Sequence, residues 1–188
     1  WGRDKMPEYD NHLRRYVSTK PLREAVERGD FVLLDGQWLI DLCKQGDVLP
    51  CRQELPHESV IAARDLDDEA AIKIFAVSCP WMTPQHPDPT GVQLCTISKI
   101  IQLYMRLERK RVAVFWDWSS MFQRYYPGTN RPPNAYPEDS QIVERSKEEE
   151  IKFKASLAHV HEFFCNKQTV VLLQTNLPDE DIHNEVAV

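Results

Sequence analysis

Residues 72–94 read "IKIFAVSCPWMTPQHPDPTGVQL", and the fold class turns on them. The first seven are a compact apolar run bounded by turn residues, the signature of a buried strand. A stiff loop with four prolines, a Trp, a His and an Asp follows, and a helical pattern begins at Thr90. Thr90 and Gln93 have the T-x-x-Q spacing of a capping box. Ile97, Ile100, Ile101, Tyr104 and Leu107 continue it at helical spacing. The strand–loop–helix order predicts a parallel α/β unit with the proline loop on its rim.

The same alternation extends toward the carboxyl terminus. "VAVFWDW" (112–118) and "TVVLLQ" (169–174) read as two further strands. The segment between them, "SKEEEIKFKASLAHVHEFFC" (146–165), places Phe153, Leu157, Val160 and Phe164 on one helical stripe. Strand, helix, strand, helix, strand is the pattern of a parallel sheet flanked by helices. Residues 124–141, rich in proline, form a long irregular loop, a kind that is usually functional or disordered.

Toward the amino terminus the pattern is less regular. Residues 1–18 read as an extended polar arm, and 19–70 as a helical extension with one short strand. In "TKPLREAVERGD", Thr19 suits a cap, Pro21 a first turn and Gly29 a helix end, with Leu22, Ala25 and Val26 on one face. "FVLLD" (31–35) reads as a strand. A second helix follows, with Asp35 as cap, Gly46 as stop, and Trp38, Leu39 and Leu42 on one face. The α/β domain spans 71–176, and 177–188 form an acidic polar tail.

Length and composition suit a domain of ordinary size: 188 residues, 42% hydrophobic. The net charge of −6 argues against nucleic acid as a partner. The one basic cluster, Arg106, Arg109, Lys110 and Arg111, has two readings. It is a patch for phosphate or an acidic partner, or, favoured, the cationic last turn of a helix. Hydropathy predicts no membrane span. Five cysteines without C-x-x-C spacing argue against a disulfide framework and a zinc ribbon, and favour an intracellular site, cytoplasmic or organellar. The chain opens on Trp1 rather than Met, so the lack of a visible signal peptide carries little weight. His161 and Cys165 share a helix face, but without a third ligand beside them no metal is expected.

In an open parallel sheet, ligands collect at the carboxyl ends of the strands. That edge gathers Ser78, Trp81, His86, Asp88 and Thr90 from the first loop, and Asp117, Trp118, Ser119 and Gln123 from the second. Aromatic faces beside a helix amino terminus suit a nucleotide. The alternative is that the tryptophans cover the sheet edge and Asp117 caps a turn. Asp117 does not read as a phospho-acceptor. The acidic pair a receiver domain needs is replaced by Ser78–Cys79, and Ser119 stands where a haloacid-dehalogenase-type phosphohydrolase wants a second Asp. P-loop, G-x-G-x-x-G and G-x-S-x-G strings are absent.

The motif order S-x-x-W-x-x-P-x-H-P-D-P-x-G-x-Q-L, then W-D-W-S-S-M-x-Q, then helix, then V-V-L-L, resembles that of divergent TIR-like (Toll/interleukin-1 receptor-like) domains of protists and microalgae, over about residues 70–175. The resemblance implies a flavodoxin-like fold whose first strand is 72–78. It also implies either assembly with other protein subunits or hydrolysis of NAD. In the enzymes of that family a Glu lies on the helix after the third strand, in a W-C-x-x-E-like string. Here "DEDIHNEVAV" follows instead, and Glu180 and Glu185 lack that setting. Cys79–Pro80 also departs from the family's polar or basic pair. The sheet is therefore expected to be incomplete: either the sequence is a piece of a longer protein or this copy lacks the catalytic half. The favoured expectation is a non-enzymatic interaction or assembly module in a larger complex, without a cofactor. The alternative is an NAD- or nucleotide-binding enzyme completed by residues outside this chain, with Trp81 and Trp118 flanking a base and Asp117 and Ser119 on a ribose. A third reading is a structural α/β protein whose aromatic loops are only core.

Overall fold

The alternation of β2 (Ile72–Ser78) and β3 (Arg111–Trp116) divides the interior into two cores, because successive strand residues face opposite sides of a sheet. Phe75, Val77, Val112, Val114 and Trp116 face one side, with Leu39 and Ile40 of α2 (Gly36–Gln45) and Leu94, Ile97 and Ile101 of α3 (Val92–Glu108). Ile74, Ala76, Ala113 and Phe115 face the other, with Leu22 and Ala25 of α1 (Lys20–Glu27) and Phe163 of α5 (Lys147–Cys165). This computed structural model describes residues 15–127 and 141–176. The predicted arm up to residue 14, the core of the irregular loop (128–140) and the acidic tail (177–188) lie outside the described residues.

The sheet order is β1-β3-β2-β4, with β1 at Leu34–Asp35 and β4 at Thr169–Leu173. β2 runs parallel to both β3 and β4, but β1 is antiparallel to β3, so the sheet is mixed rather than parallel throughout. The class is α/β, as the sequence predicts. The predicted strand 31–35 shrinks to two residues. Phe31 and Leu33 still bury fully, but the amide of Val32 donates to Ser120 O instead of a strand partner. Asp35 caps α2 as expected, its carboxylate accepting from Gln37 N (2.8 Å) and Trp38 N (3.3 Å), and Gly46 ends it at φ 75°.

Four local expectations fail. Thr19 does not cap α1, because its hydroxyl donates to Glu69 Oε1 instead. The T-x-x-Q capping box is not formed: Gly91 is the cap residue of α3, and Gln93 turns its amide onto the carbonyls of Pro80 and Pro87. A capping box does form on α5, between Ser146 and Glu149. On that helix Phe163 is buried while Leu157 of the predicted stripe is exposed. The cysteine arithmetic is also corrected: Cys43 of α2 and Cys95 of α3 form a disulfide across 52 residues.

The basic cluster separates. Arg106 lies in the last turn of α3, Arg109 caps that helix at φ 56°, and Arg111 opens β3 with ion pairs to Asp35 (3.0 Å) and Asp65 (3.1 Å). No helix among the described residues is long and apolar enough to cross a membrane.

Candidate functional site at the carboxyl edge of the sheet

The loop after β2 leads to α3 on one face of the sheet, and the loop after β3 leads to α5 on the other. Loops that diverge this way open a crevice between the two strands, the usual ligand site of a doubly wound sheet. The predicted residues do converge there, but most of them fill the crevice.

Trp118 sits on α4 (Asp117–Ser120) and is 1% exposed. Its indole N–H donates to Leu49 O (3.0 Å). His86 reaches the same carbonyl through Nε2 (3.0 Å), while its Nδ1 accepts from Asp88 N (2.9 Å). With both ring nitrogens engaged, the imidazole is held as the neutral Nε2–H form. Burial pulls its pKa down to about 4. The His86 and Trp118 rings meet edge to face at 5.0 Å. Ser119 donates its hydroxyl to Pro50 O, so three side chains from two loops anchor the carbonyls of residues 49 and 50.

Asp88 is fully buried, and its carboxylate accepts from Leu94 N at 2.7 Å. It thus occupies the amino terminus of α3, where the sequence suggests an anion site. Burial raises its pKa against the opposing pull of the amides of residues 91–94. Gln123 donates to the carbonyls of Asp117 (2.9 Å) and Met121 (3.1 Å) and exchanges hydrogen bonds with Gln53. Ser78 lies half-buried at the end of β2, its carbonyl accepting from Gln174 N. Thr90 is half-buried and its hydroxyl has no partner within the described residues.

Two predicted residues remain within reach of a ligand. Trp81 is exposed and donates its indole N–H to Asp117 Oδ2 (3.3 Å), while its ring meets Trp118 edge to face at 5.5 Å. Burial raises the Asp117 pKa, opposed by the Trp118 amide and the Trp81 indole.

The sequence reading missed Arg52. Its guanidinium donates to the carbonyls of Asp30 (2.7 Å), Gly29 (2.7 Å) and Ser120 (3.2 Å), and lies 3.8 Å from the Phe122 ring centroid. Burial lowers its pKa to about 10. The only sequence signal was a lone Arg in the proline-punctuated connector "CRQELPHE".

As arranged, these groups hold loops together. A base between Trp81 and Trp118 would have to displace the buried Trp118, and a phosphate at α3 would meet the Asp88 carboxylate. The residues present therefore do not fit a nucleotide in this crevice without rearrangement. On α5, His159 pairs with Glu162 at 3.2 Å, and among the described residues no group of three His, Cys, Asp or Glu side chains is placed to hold a metal.

In comparisons with known proteins, no family model, no curated protein and no solved structure matches this chain.

Proposed function

We propose that this chain is a protein-interaction or assembly module, a subunit or scaffold of a larger complex. One observation carries the reading: among the described residues, apolar side chains are left exposed on both faces of the β4 edge. Ile100, Leu103 and Leu107 are exposed along α3, on the face of the sheet toward which Val170 and Leu172 point, and Val171 and Leu173, which alternate with those two, are exposed on the opposite face; Leu107 and Leu173 are each 67% exposed. Contiguous exposed apolar surface rimmed by polar groups marks interaction sites. The filling of the crevice by Trp118, His86 and Asp88 and the motif resemblance to TIR-like domains, some of which act by assembly, support the same reading.

The test is the sedimentation of the natural chain in native extract. A stable species well above the 22.0 kDa of the chain is expected. A partner-free monomer would remove the proposal.

A nucleotide-hydrolysing reading has one observation in its favour, the exposed Trp81 beside Asp117. Nicotinamide release from NAD by the complete natural protein, lost on Trp81→Ala, would establish it in place of the first.

A further inference from the structure

Resting on the interaction reading above, we infer that the β4 edge takes an added strand. Its occupant is an extended segment of another protein, apolar at alternate positions and carrying carboxylates that meet Lys99 and Arg106.

The backbone specifies a strand. Among the described residues β4 pairs only with β2. Gln174 N donates inward to Ser78 O. Backbone groups alternate along a strand, so Val170 and Leu172 also face β2, and Val171 and Leu173 turn their N–H and C=O outward. Edge strands are ordinarily protected by charge, proline or a bulge. "TVVLL" has none of these. An open edge of this kind recruits a strand by main-chain hydrogen bonds, with side-chain pockets adding selectivity.

The side chains specify alternate apolar positions. Thr96, Ile100, Leu103 and Leu107 follow i, i+4, i+7, i+11 along α3 and form a second stripe beside the core stripe of Leu94, Ile97 and Ile101. Thr96, Ile100 and residues 171–174 enclose a groove of about 250 Å³. Every second residue of a strand laid along β4 would face this groove.

The cations specify carboxylates. Lys99 and Arg106 flank Leu103 on the solvent side of the stripe. Neither forms an ion pair among the described residues, whereas Arg111 and Arg145 both do. Unpaired cations beside an apolar stripe select an acidic partner and disfavour a basic one. The same charges disfavour a second copy: β4 brings no carboxylate of its own, and a two-fold pairing of β4 edges would set two cationic α3 helices side by side.

The test is fluorescence polarisation with three labelled synthetic peptides: alternating Glu and Val, the same with Lys for Glu, and the acidic peptide with a central proline. Only the first is expected to bind. Lys99→Glu with Arg106→Glu, both on the exposed face of α3, should weaken it by about tenfold and admit the Lys peptide. Val171→Pro removes an outward donor, a position where edge strands tolerate proline, and should abolish binding while the unfolding midpoint holds. Equal binding of the acidic and basic peptides, acidic binding indifferent to Val171→Pro, or no binding at all would each overturn the inference. Self-association abolished by Val171→Pro would overturn it in favour of a second copy. A native complex that survives both variants removes this inference alone, and a chain that is monomeric in extract removes the interaction reading with it.

Discussion

The crevice between β2 and β3 and the outer edge of β4 are parts of one sheet, treated in opposite ways. At the crevice, side chains from distant segments converge on main-chain carbonyls: Trp118 and His86 on Leu49, Ser119 on Pro50, Arg52 on Gly29, Asp30 and Ser120. At the edge, Val171 and Leu173 leave backbone and side chain in solvent. Buried polar groups are ordinarily paired within the chain, and the first region is largely paired in this way, with Asp88 Oδ1, Thr90 Oγ1 and Gln93 Oε1 left without a partner among the described residues. The outward groups of the second have no strand partner among the described residues. The end of an α/β sheet where ligands usually collect is filled by side chains here, and the outer side of β4 is unpaired among the described residues.

The largest effects are expected in the crevice. Trp118→Ala removes a fully buried indole and leaves a cavity that closes only partly, which costs about 3–5 kcal/mol, read from urea unfolding. A loss under about 1 kcal/mol would mean that the crevice is looser than its hydrogen bonds imply, and would restore it as a ligand site. Arg52→Ala strips the Gly29 and Asp30 carbonyls of the guanidinium and leaves Ser120 O only the Val32 amide, and should cost about 2–3 kcal/mol. Arg52→Lys should recover little of this, since an ammonium cannot reproduce the planar fork.

Acidity separates the regions next. His86 is neutral in the fold with its pKa near 4, against an unfolded value of 6.5. Between those values the unfolded chain binds the extra proton, so stability is fully present above about pH 6.5 and declines as pH falls toward 4. The full contribution is about 3 kcal/mol. Asp88 and Asp117, whose folded carboxyls are raised, act in the opposite sense on acidification and reduce the net slope at the acid end. Unfolding midpoints from pH 7.5 to 4.5 should therefore fall in the natural chain and fall less in His86→Gln. Equal slopes would show that His86 is not held neutral.

The elements legible in sequence were those with a repeating period. β2, β3, β4, α3 and α5 each announce themselves by apolar spacing, and Asp35 and Gly46 by local turn chemistry. The convergence of Trp81, His86, Asp88, Asp117 and Trp118 was legible too, because the strand ends that carry them are neighbours in any such sheet. What those residues do there was not legible. Whether an Asp near a helix start caps it or leaves it free depends on backbone angles several residues on, and Asp88 took the place the T-x-x-Q string suggested for Thr90. Arg52 and the carbonyls of Leu49 and Pro50 lie in a connector with no period, and their partners are up to 69 residues distant. The antiparallel pairing of β1 and the bond between Cys43 and Cys95 are long-range in the same way. The bare edge of β4 was hidden for a different reason: "TVVLL" reads equally as a central strand or an edge, and only the strand order tells them apart.

The smallest expected effect bears most directly on the comparison. Leu103→Ser removes a large apolar side chain, but in the free chain that side chain already meets water. Its loss should change stability by no more than about 0.5 kcal/mol, an order of magnitude below Trp118→Ala. The same substitution should weaken any partner that lies along α3, because in the complex the side chain becomes buried and its apolar area then counts at roughly 25 cal/mol per Å². Urea unfolding of the isolated chain and sedimentation of the native complex read the two quantities separately. If the isolated chain loses more than about 1 kcal/mol, the stripe is already covered within the molecule and the two regions differ less than their described contacts indicate. If stability holds and the complex weakens, the contrast is functional: the chain completes its own crevice and leaves its edge for another protein to complete.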